Sequence, residues 1–322
     1  MTVHTSRDLR PLACALALFA SCGAYAAEGE LAPDAVNQPA ATSGAAGMLR
    51  AQVLLDRAHF SPGEIDAAGG GNTRAAIAAY QRSRELEPSG ELDDATWSAL
   101  NADAAPVLTT YTLTAADVAG PFQAMPDDMM EKAKRDALGY ASIEEALGER
   151  FHASPQLLQR LNPDKPFAAG SELVVPNVAT AAPLPKPAKI VVDKSDSSVL
   201  LVGEGDEVLA RFPASTGSEH DPLPVGDWTI KAVARDPTFH YNPELFWDAD
   251  PAHAKAKLAP GPNNPVGTVW IDLSKDHYGI HGTPEPSKVG KTESHGCIRM
   301  TNWSANLVAQ LVAPGTAAVL RE

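Results

Sequence analysis

The sequence predicts a multidomain α+β chain. We expect a small three-helix N-terminal domain, then a βααβ module, then a mostly β, sandwich-like domain with one packed helix. Three observations predict this. Residues 47–103 carry apolar side chains at helical spacing between glycine-rich turns. Residues 189–322 carry short β-rich runs broken by polar turns. A Pro-rich run at 178–188 lies before the last domain, as a semi-extended linker would. The 322 residues exceed one ordinary domain and fit two or three. A hydrophobic content of 44% is that of a globular protein. A net charge of −14 and only 6% aromatic residues argue against a nucleic-acid binder, which needs a basic face or stacking platforms.

The first 26 residues have the order of a secretory signal. Arg7 and Arg10 precede an apolar run from Pro11 to Ala20, too short to span a membrane. Ala24-Tyr25-Ala26 supplies a small-x-small cleavage site, so the mature chain is expected from near Ala27, in the periplasm or cell envelope. Phe19-Ala20-Ser21-Cys22 loosely resembles a lipoprotein signal that would lipidate Cys22. Phe19 stands where Leu is usual, so the ordinary site is preferred. Of the three cysteines, Cys14 and Cys22 fall inside this segment and leave Cys297 alone. A lone thiol in an oxidising compartment is either buried and inert or used.

Residues 27–46, rich in Ala, Pro, Gly and acidic residues, read as a flexible leader. From 47 to 103, Leu49, Val53 and Leu54 share one helical face. Ser61-Pro62-Gly63 and Gly69-Gly70-Gly71 mark turns, Thr73 is a candidate N-cap, and Ala76, Ile77 and Tyr80 form the next stripe. Asp93 or Asp94 opens a short helix carrying Trp97 and Leu100. Leu54, Pro62-Gly63-Glu64-Ile65-Asp66, Tyr80-Gln81, Gly90-Glu91-Leu92-Asp93 and Thr96-Trp97 together resemble a three-helix peptidoglycan-binding domain. The chain departs from it at Ala67, where Gly is usual, and at Tyr80, where Phe is usual.

Residues 107–177 give two strand-like runs, Leu108–Leu113 and Leu173–Pro176. They flank two capped helices, Ser142–Phe151 and Ser154–Leu161. With Asn162-Pro163 and Gly170 the segment is similar to a LysM module, a glycan-binding βααβ unit. An acidic, Met-containing insertion at 115–140 departs from that pattern.

In residues 189–322 the strand-like runs are Lys189–Asp193, Ser198–Val202, Glu207–Ala214, Asp227–Ala234, Thr268–Leu273, Tyr278–His281 and Thr316–Leu320. Asn302–Val312 has helical spacing through Trp303, Leu307 and Leu311. The Asp236–Pro265 stretch lacks periodicity and is a candidate lid, with Trp247 as its pocket residue. Trp228 and Trp270 read as packing residues, and His220, His240 and His253 as surface residues.

Two segments carry chemistry: Tyr278-Gly279-Ile280-His281-Gly282-Thr283 and Ser294-His295-Gly296-Cys297-Ile298-Arg299-Met300. A cysteine attacks carbonyls as its thiolate, and a free thiol titrates near pH 8.5, so an imidazole must take its proton. His281 and His295 are both available. His295 lies two residues before Cys297, on the same side if the segment is an extended strand. Glycines at 282 and 296 allow close backbone approach. The N–H groups of Gly296 and Cys297 are candidate oxyanion donors, worth about 3 kcal/mol each. Together with Pro224-Val225-Gly226 and the Gly261–Gly267 run, these segments resemble the YkuD-type L,D-transpeptidase catalytic domain from Lys189 onward, with no departure at a catalytic position.

That resemblance implies roles. Cys297 is the nucleophile, His281 its base, and the carbonyl of Gly282 orients the imidazole. His295 joins the catalytic set, while Ser294, Thr283, Arg299 and Trp247 contact substrate. The partners implied are peptidoglycan tetrapeptide stems, with glycan strands held by the N-terminal modules. The product is a 3→3 cross-link with release of D-Ala, no cofactor is needed, and carbapenems acylate such enzymes. Alternatives are an L,D-carboxypeptidase or endopeptidase, an enzyme joining an outer-membrane lipoprotein to the wall, and a non-catalytic wall-binding scaffold. A zinc site from His277, His281, His295 and Cys297 lacks the usual ligand spacing, and no metal is expected.

Overall fold

The computed structural model describes residues 1, 31–178 and 183–322. The secretory-signal and Cys22 readings lie outside the described residues.

The chain folds earlier than its composition predicts. Leu31 and Val36 are buried, and helix α1 spans Pro33–Val36. Asn37 accepts from the Val107 and Leu108 N–H groups, both at 2.9 Å, and so stitches this segment to the first strand. Two apolar side chains, the Asn37 amide and the Arg50 guanidinium, which donates to the Val36 and Asn37 carbonyls, hold a stretch that looks featureless in sequence.

Three helices follow, α2 (Gly44–Arg57), α3 (Gly71–Ser83) and α4 (Asp94–Leu100). The expected stripe residues Leu49, Val53, Leu54, Ala76, Ile77, Tyr80, Trp97 and Leu100 are all buried. Asp93 caps α4 by accepting from the Thr96 N–H. Thr73 is not a cap. Gly70 holds that position, and the Thr73 hydroxyl is buried, accepting from Gln52.

Strands β1 (Leu108–Thr112) and β2 (Glu172–Pro176) pair antiparallel. Between them run α5 (Met129–Lys132), α6 (Ile143–Phe151) and α7 (Pro155–Leu161), the last two capped by Ser142 and Ser154. The 115–140 insertion contributes Leu138, Met125 and Met129 to a small core with Tyr241, Phe239, Phe246 and Leu258. It therefore supports the candidate lid, whose hairpin is β8 (Phe239–Tyr241) paired with β9 (Ala256–Leu258).

The C-terminal domain contributes β3 (Lys189–Asp193), β4 (Ser198–Val202), β5 (Val208–Pro213), β6 (Ser215–Thr216), β7 (Gly226–Arg235), β10 (Val269–Leu273), β11 (Gly279–His281), β12 (Ile298–Arg299), helix α8 (Asn302–Leu311) and β13 (Ala317–Arg321). Rather than two separate layers, its strands form one hydrogen-bonded order, β5-β4-β3-β13-β7-β10-β11-β12-β6. Strand β7 is long enough to pair with β13 through its first residues and with β10 through the rest. One core takes in both halves of the sheet and the apolar face of α8, including Ile190, Val199, Ile271, Ile280, Ile298 and Val308.

The modules lock together. Ser61 N–H donates to the Arg211 carbonyl at 2.8 Å, and Arg211 N–H to that of His59 at 2.9 Å, tying the helical domain to β5. Ile65 bridges to Ala153, and Asn72 donates to the Val289 carbonyl at 2.9 Å. The ring of His152, at the end of α6, stacks on Trp303 of α8 with centroids 5.1 Å apart.

Candidate active site

The site is a consequence of strand register. β11 and β12 run parallel with Ile280 opposite Ile298 and His281 opposite Arg299. Side chains alternate across a strand. Ile280 and Ile298 therefore face the core, and His281 and Arg299 share the other face. Cys297, one residue before β12, faces in the same direction as Arg299. On the next strand Trp270 pairs with His281, and its ring stacks on the imidazole at 5.6 Å with 16° between planes.

His281 is 6% exposed, and its Nδ1 lies 2.6 Å from the Gly282 carbonyl. A carbonyl can only accept, so Nδ1 carries the hydrogen and Nε2 is bare. Burial pushes this imidazole down to about 4; the Arg299 charge acts in the same direction and the Gly282 hydrogen bond against it. Burial pushes the Cys297 thiol up, opposed by a Gly279 backbone hydrogen bond and the Arg299 charge, with Asp221 adding to the rise. Both shifts favour the neutral forms, thiol and imidazole, over a thiolate–imidazolium pair. The resting sulfur donates to the His277 carbonyl at 3.7 Å. Arg299 is itself held below its ordinary value by burial, against the charge of Glu285.

The other expected residues fall in two groups. Ser294 and Thr283 shape backbone near the thiol. The Ser294 hydroxyl donates to the Cys297 carbonyl at 2.5 Å, and the Thr283 hydroxyl accepts from the Glu285 N–H at 3.2 Å. His295 and Trp247 belong to the lid contact. His295 does not lie on an extended strand with Cys297, because the chain turns at Gly296, whose φ is +93°. His295 instead hydrogen-bonds Asp248 at 2.8 Å and packs against Phe246 and Trp247, at 5.1 and 5.8 Å between centroids. Trp247 is 60% exposed and also packs on His220 at 4.5 Å. His253, read as a surface residue, bonds Tyr241 and Asp128 and holds the lid hairpin to the insertion.

Four neighbours of the site were given no role of their own by the sequence, although Tyr278 and Gly279 lie in a motif segment. Trp270 covers the imidazole. Tyr278 crowds Gly296 so closely that a Cβ there would lie 2.8 Å from its ring. Gly279 offers its N–H to the sulfur. Asn302, the first residue of α8, lies against Gly282. The period-2 pattern could have flagged Trp270, had the register been known.

Two stretches of the chain match known family models. Residues 187–320 match the YkuD family model, described as the L,D-transpeptidase catalytic domain. Residues 45–100 match a model described as "Putative peptidoglycan binding domain". A relative from Bacillus licheniformis, "Putative L,D-transpeptidase YkuD", is 29% identical over 175 residues, covering 53% of this chain and 89% of its own. The Bacillus subtilis protein of the same name is 27% identical over 168 residues, covering 52% and 85%. A solved L,D-transpeptidase from Mycobacterium smegmatis is 20% identical and covers 49% of this chain and 75% of its own, with a TM-score of 0.34, too low to bear on how the modules are arranged. The chain carries a YkuD-type L,D-transpeptidase catalytic domain. In front of it stands an N-terminal peptidoglycan-binding domain.

Proposed function

We propose that the protein is a peptidoglycan L,D-transpeptidase that forms 3→3 cross-links through a Cys297 thioester. The observation that carries this reading is the His281 tautomer. Its Nδ1–H is engaged by Gly282, which leaves Nε2 bare on the face shared with Cys297.

In the first half-reaction the thiol leaves the His277 carbonyl and gives its proton to Nε2 as sulfur attacks the carbonyl of the stem's diamino acid. Backbone N–H groups of Gly296 and Cys297 receive the oxyanion. The C–N bond to terminal D-Ala breaks, and the departing nitrogen takes the proton from the imidazolium. In the second, a side-chain amine of another stem attacks the thioester and passes a proton to Nε2. The C–S bond breaks and the sulfur recovers that proton. A raised thiol and a lowered imidazole suit this cycle, because proton transfer and attack can then occur together.

Ser294, Arg299, Thr283 and Trp247 are the proposed substrate contacts. A cleft of about 370 Å³ beside β6, lined by Ser215 to Ser218 and residues 290–293, is the proposed seat of a stem. The Phe246–Asp248 segment over His295 is the proposed lid that keeps water from the thioester. The helical domain, and with it the βααβ module, are proposed to hold wall polymer, which puts the enzyme in the cell envelope. A carbapenem is expected to acylate Cys297.

The test is incubation with disaccharide-tetrapeptide, read by mass spectrometry, beside Cys297→Ala. Cross-linked dimer that has lost D-Ala, absent with the variant, supports the reading. Tripeptide without dimer moves it to a carboxypeptidase. Neither product, with carbapenem acylation intact, moves it to lipoprotein linkage.

A further inference from the structure

The Gly282 peptide beside the His281 imidazole is packed against Asn302, and Asn302 is in turn bonded to a group outside the catalytic domain. Gly282 is clamped from two sides. A Cβ on Gly282 would lie 2.1 Å from the Asn302 side-chain oxygen, and a Cβ on Gly267 would lie 2.7 Å from the Gly282 carbonyl carbon. The peptide therefore sits wedged between the Asn302 carboxamide and the Gly267 backbone.

Asn302 is 2% exposed and its carboxamide is fully engaged. Its Oδ1 accepts from the Thr268 N–H at 3.2 Å, and its Nδ2 donates to the Pro262 carbonyl at 3.3 Å. The remaining bond, at 2.9 Å, runs from Nδ2 to Oε1 of Glu149 on α6, 153 residues earlier in the chain. Glu149 has company in the junction: Glu145, held by Asn263 at 2.7 Å, and Glu64 of the helical domain, with Tyr140 also facing it. The same end of α6 docks a second time, through His152 on Trp303.

We propose that Glu149 of the βααβ module is a positioning residue for the reaction, acting through Asn302 and Gly282 to hold the His281 imidazole with Nε2 toward Cys297. Docking of α6 onto α8 then completes the catalytic alignment, and the accessory module serves the chemistry as well as the wall. This inference rests on the transpeptidase reading for its kinetic effect, although the alignment of the histidine does not. Burial, with Glu145 and Glu64 nearby, raises the Glu149 carboxyl to about 8 against the Asn302 bond, so a neutral glutamine reproduces its state at neutral pH.

The test uses the full chain, with Glu149→Ala, Glu149→Gln and, should the alanine variant fail to fold, Glu149→Asp, which is one methylene too short to reach Asn302. Two readouts are taken: kcat and KM for disaccharide-tetrapeptide, and the pH profile of Cys297 alkylation by iodoacetamide. Glu149→Ala is expected to lower kcat about tenfold with KM unchanged, since small misplacements of a reacting group cost this much or more. It should also shift the alkylation profile, while Glu149→Gln keeps both at wild-type values. A wild-type kcat and profile for Glu149→Ala, or an equal loss in Glu149→Gln, would overturn the proposal. If the wild-type chain makes no dimer but the alkylation profile still moves with Glu149→Ala, the transpeptidase reading fails and the positioning role stands.

Discussion

At the scale of single residues, burial decides the chemistry. His281 is held neutral and the Cys297 thiol is raised above its ordinary value. Protonating His281 removes the acceptor for the thiol proton. The acid limb of kcat/KM should therefore fall near pH 4, well below the ordinary histidine value of 6.5, with a flat profile through neutral pH. A steady-state pH series on small muropeptides checks this. Gly296 is a second such position, with φ of +93° and the Tyr278 ring against it. Gly296→Ala should introduce strain of about 1–3 kcal/mol at the nucleophile's turn and slow carbapenem acylation at least tenfold. Ala67 is the reverse case, a residue with a Cβ at φ +62°. The peptidoglycan-binding resemblance puts glycine there, and Ala67→Gly should stabilise the fold by about 1 kcal/mol, read as a raised Tm.

At the scale of elements, the proposed lid is an assembly of two distant segments. The β8–β9 hairpin alone is too short to be stable in isolation. The 115–140 insertion supplies Met125, Met129 and Leu138 to its core, and Asp128 to His253. The lid then meets the catalytic segment through Asp248 and His295. Asp248→Ala should loosen that contact, leave carbapenem acylation of Cys297 intact and raise the share of tripeptide over dimer. Product ratios by mass spectrometry would show it, and an unchanged ratio would remove the lid's proposed role in excluding water. Sequence showed the insertion only as a departure from pattern. Its apolar side chains pack into one cluster with residues about a hundred or more positions further along the chain.

At the scale of the whole molecule, the modules are not beads on a linker. The helical domain, the βααβ module and the catalytic domain meet at Arg211, Ala153, Val289, Asn302 and Trp303. Removing residues 31–177 should therefore reduce turnover of small muropeptides as well as of intact sacculi, since Asn302 loses Glu149. A loss on sacculi alone would mean that the modules act purely as a tether raising local polymer concentration. The junction also predicts a pH effect on stability. Glu149 titrates higher in the folded chain, near 8, than the ordinary 4.5. Its contribution is fully present below 4.5 and is lost as pH rises through about 8, because the folded state binds the extra proton. Thermal unfolding across that range should show Tm falling toward alkaline pH, with the fall reduced in Glu149→Gln.

Sequence by itself determined much of this protein. Apolar periodicity placed the longer helices and strands within a residue or two, because each element's buried face repeats locally, but it gave no sign of α1, α5, β6, β8, β9 or β12. The two motif segments singled out Cys297, His281 and Gly282 as candidates, because thiol, imidazole and close backbone approach are needed whatever surrounds them. Tertiary structure alone decided the rest. It put His281 and Cys297 on one face by the β11–β12 register, turned His295 toward Phe246, Trp247 and Asp248 at Gly296, and ordered the segment from Leu31 by contacts with β1. It also lowered the His281 imidazole, raised the Cys297 thiol and joined Glu149 to Asn302. Burial and long-range contact produce these features, and neither has a local signature in the chain.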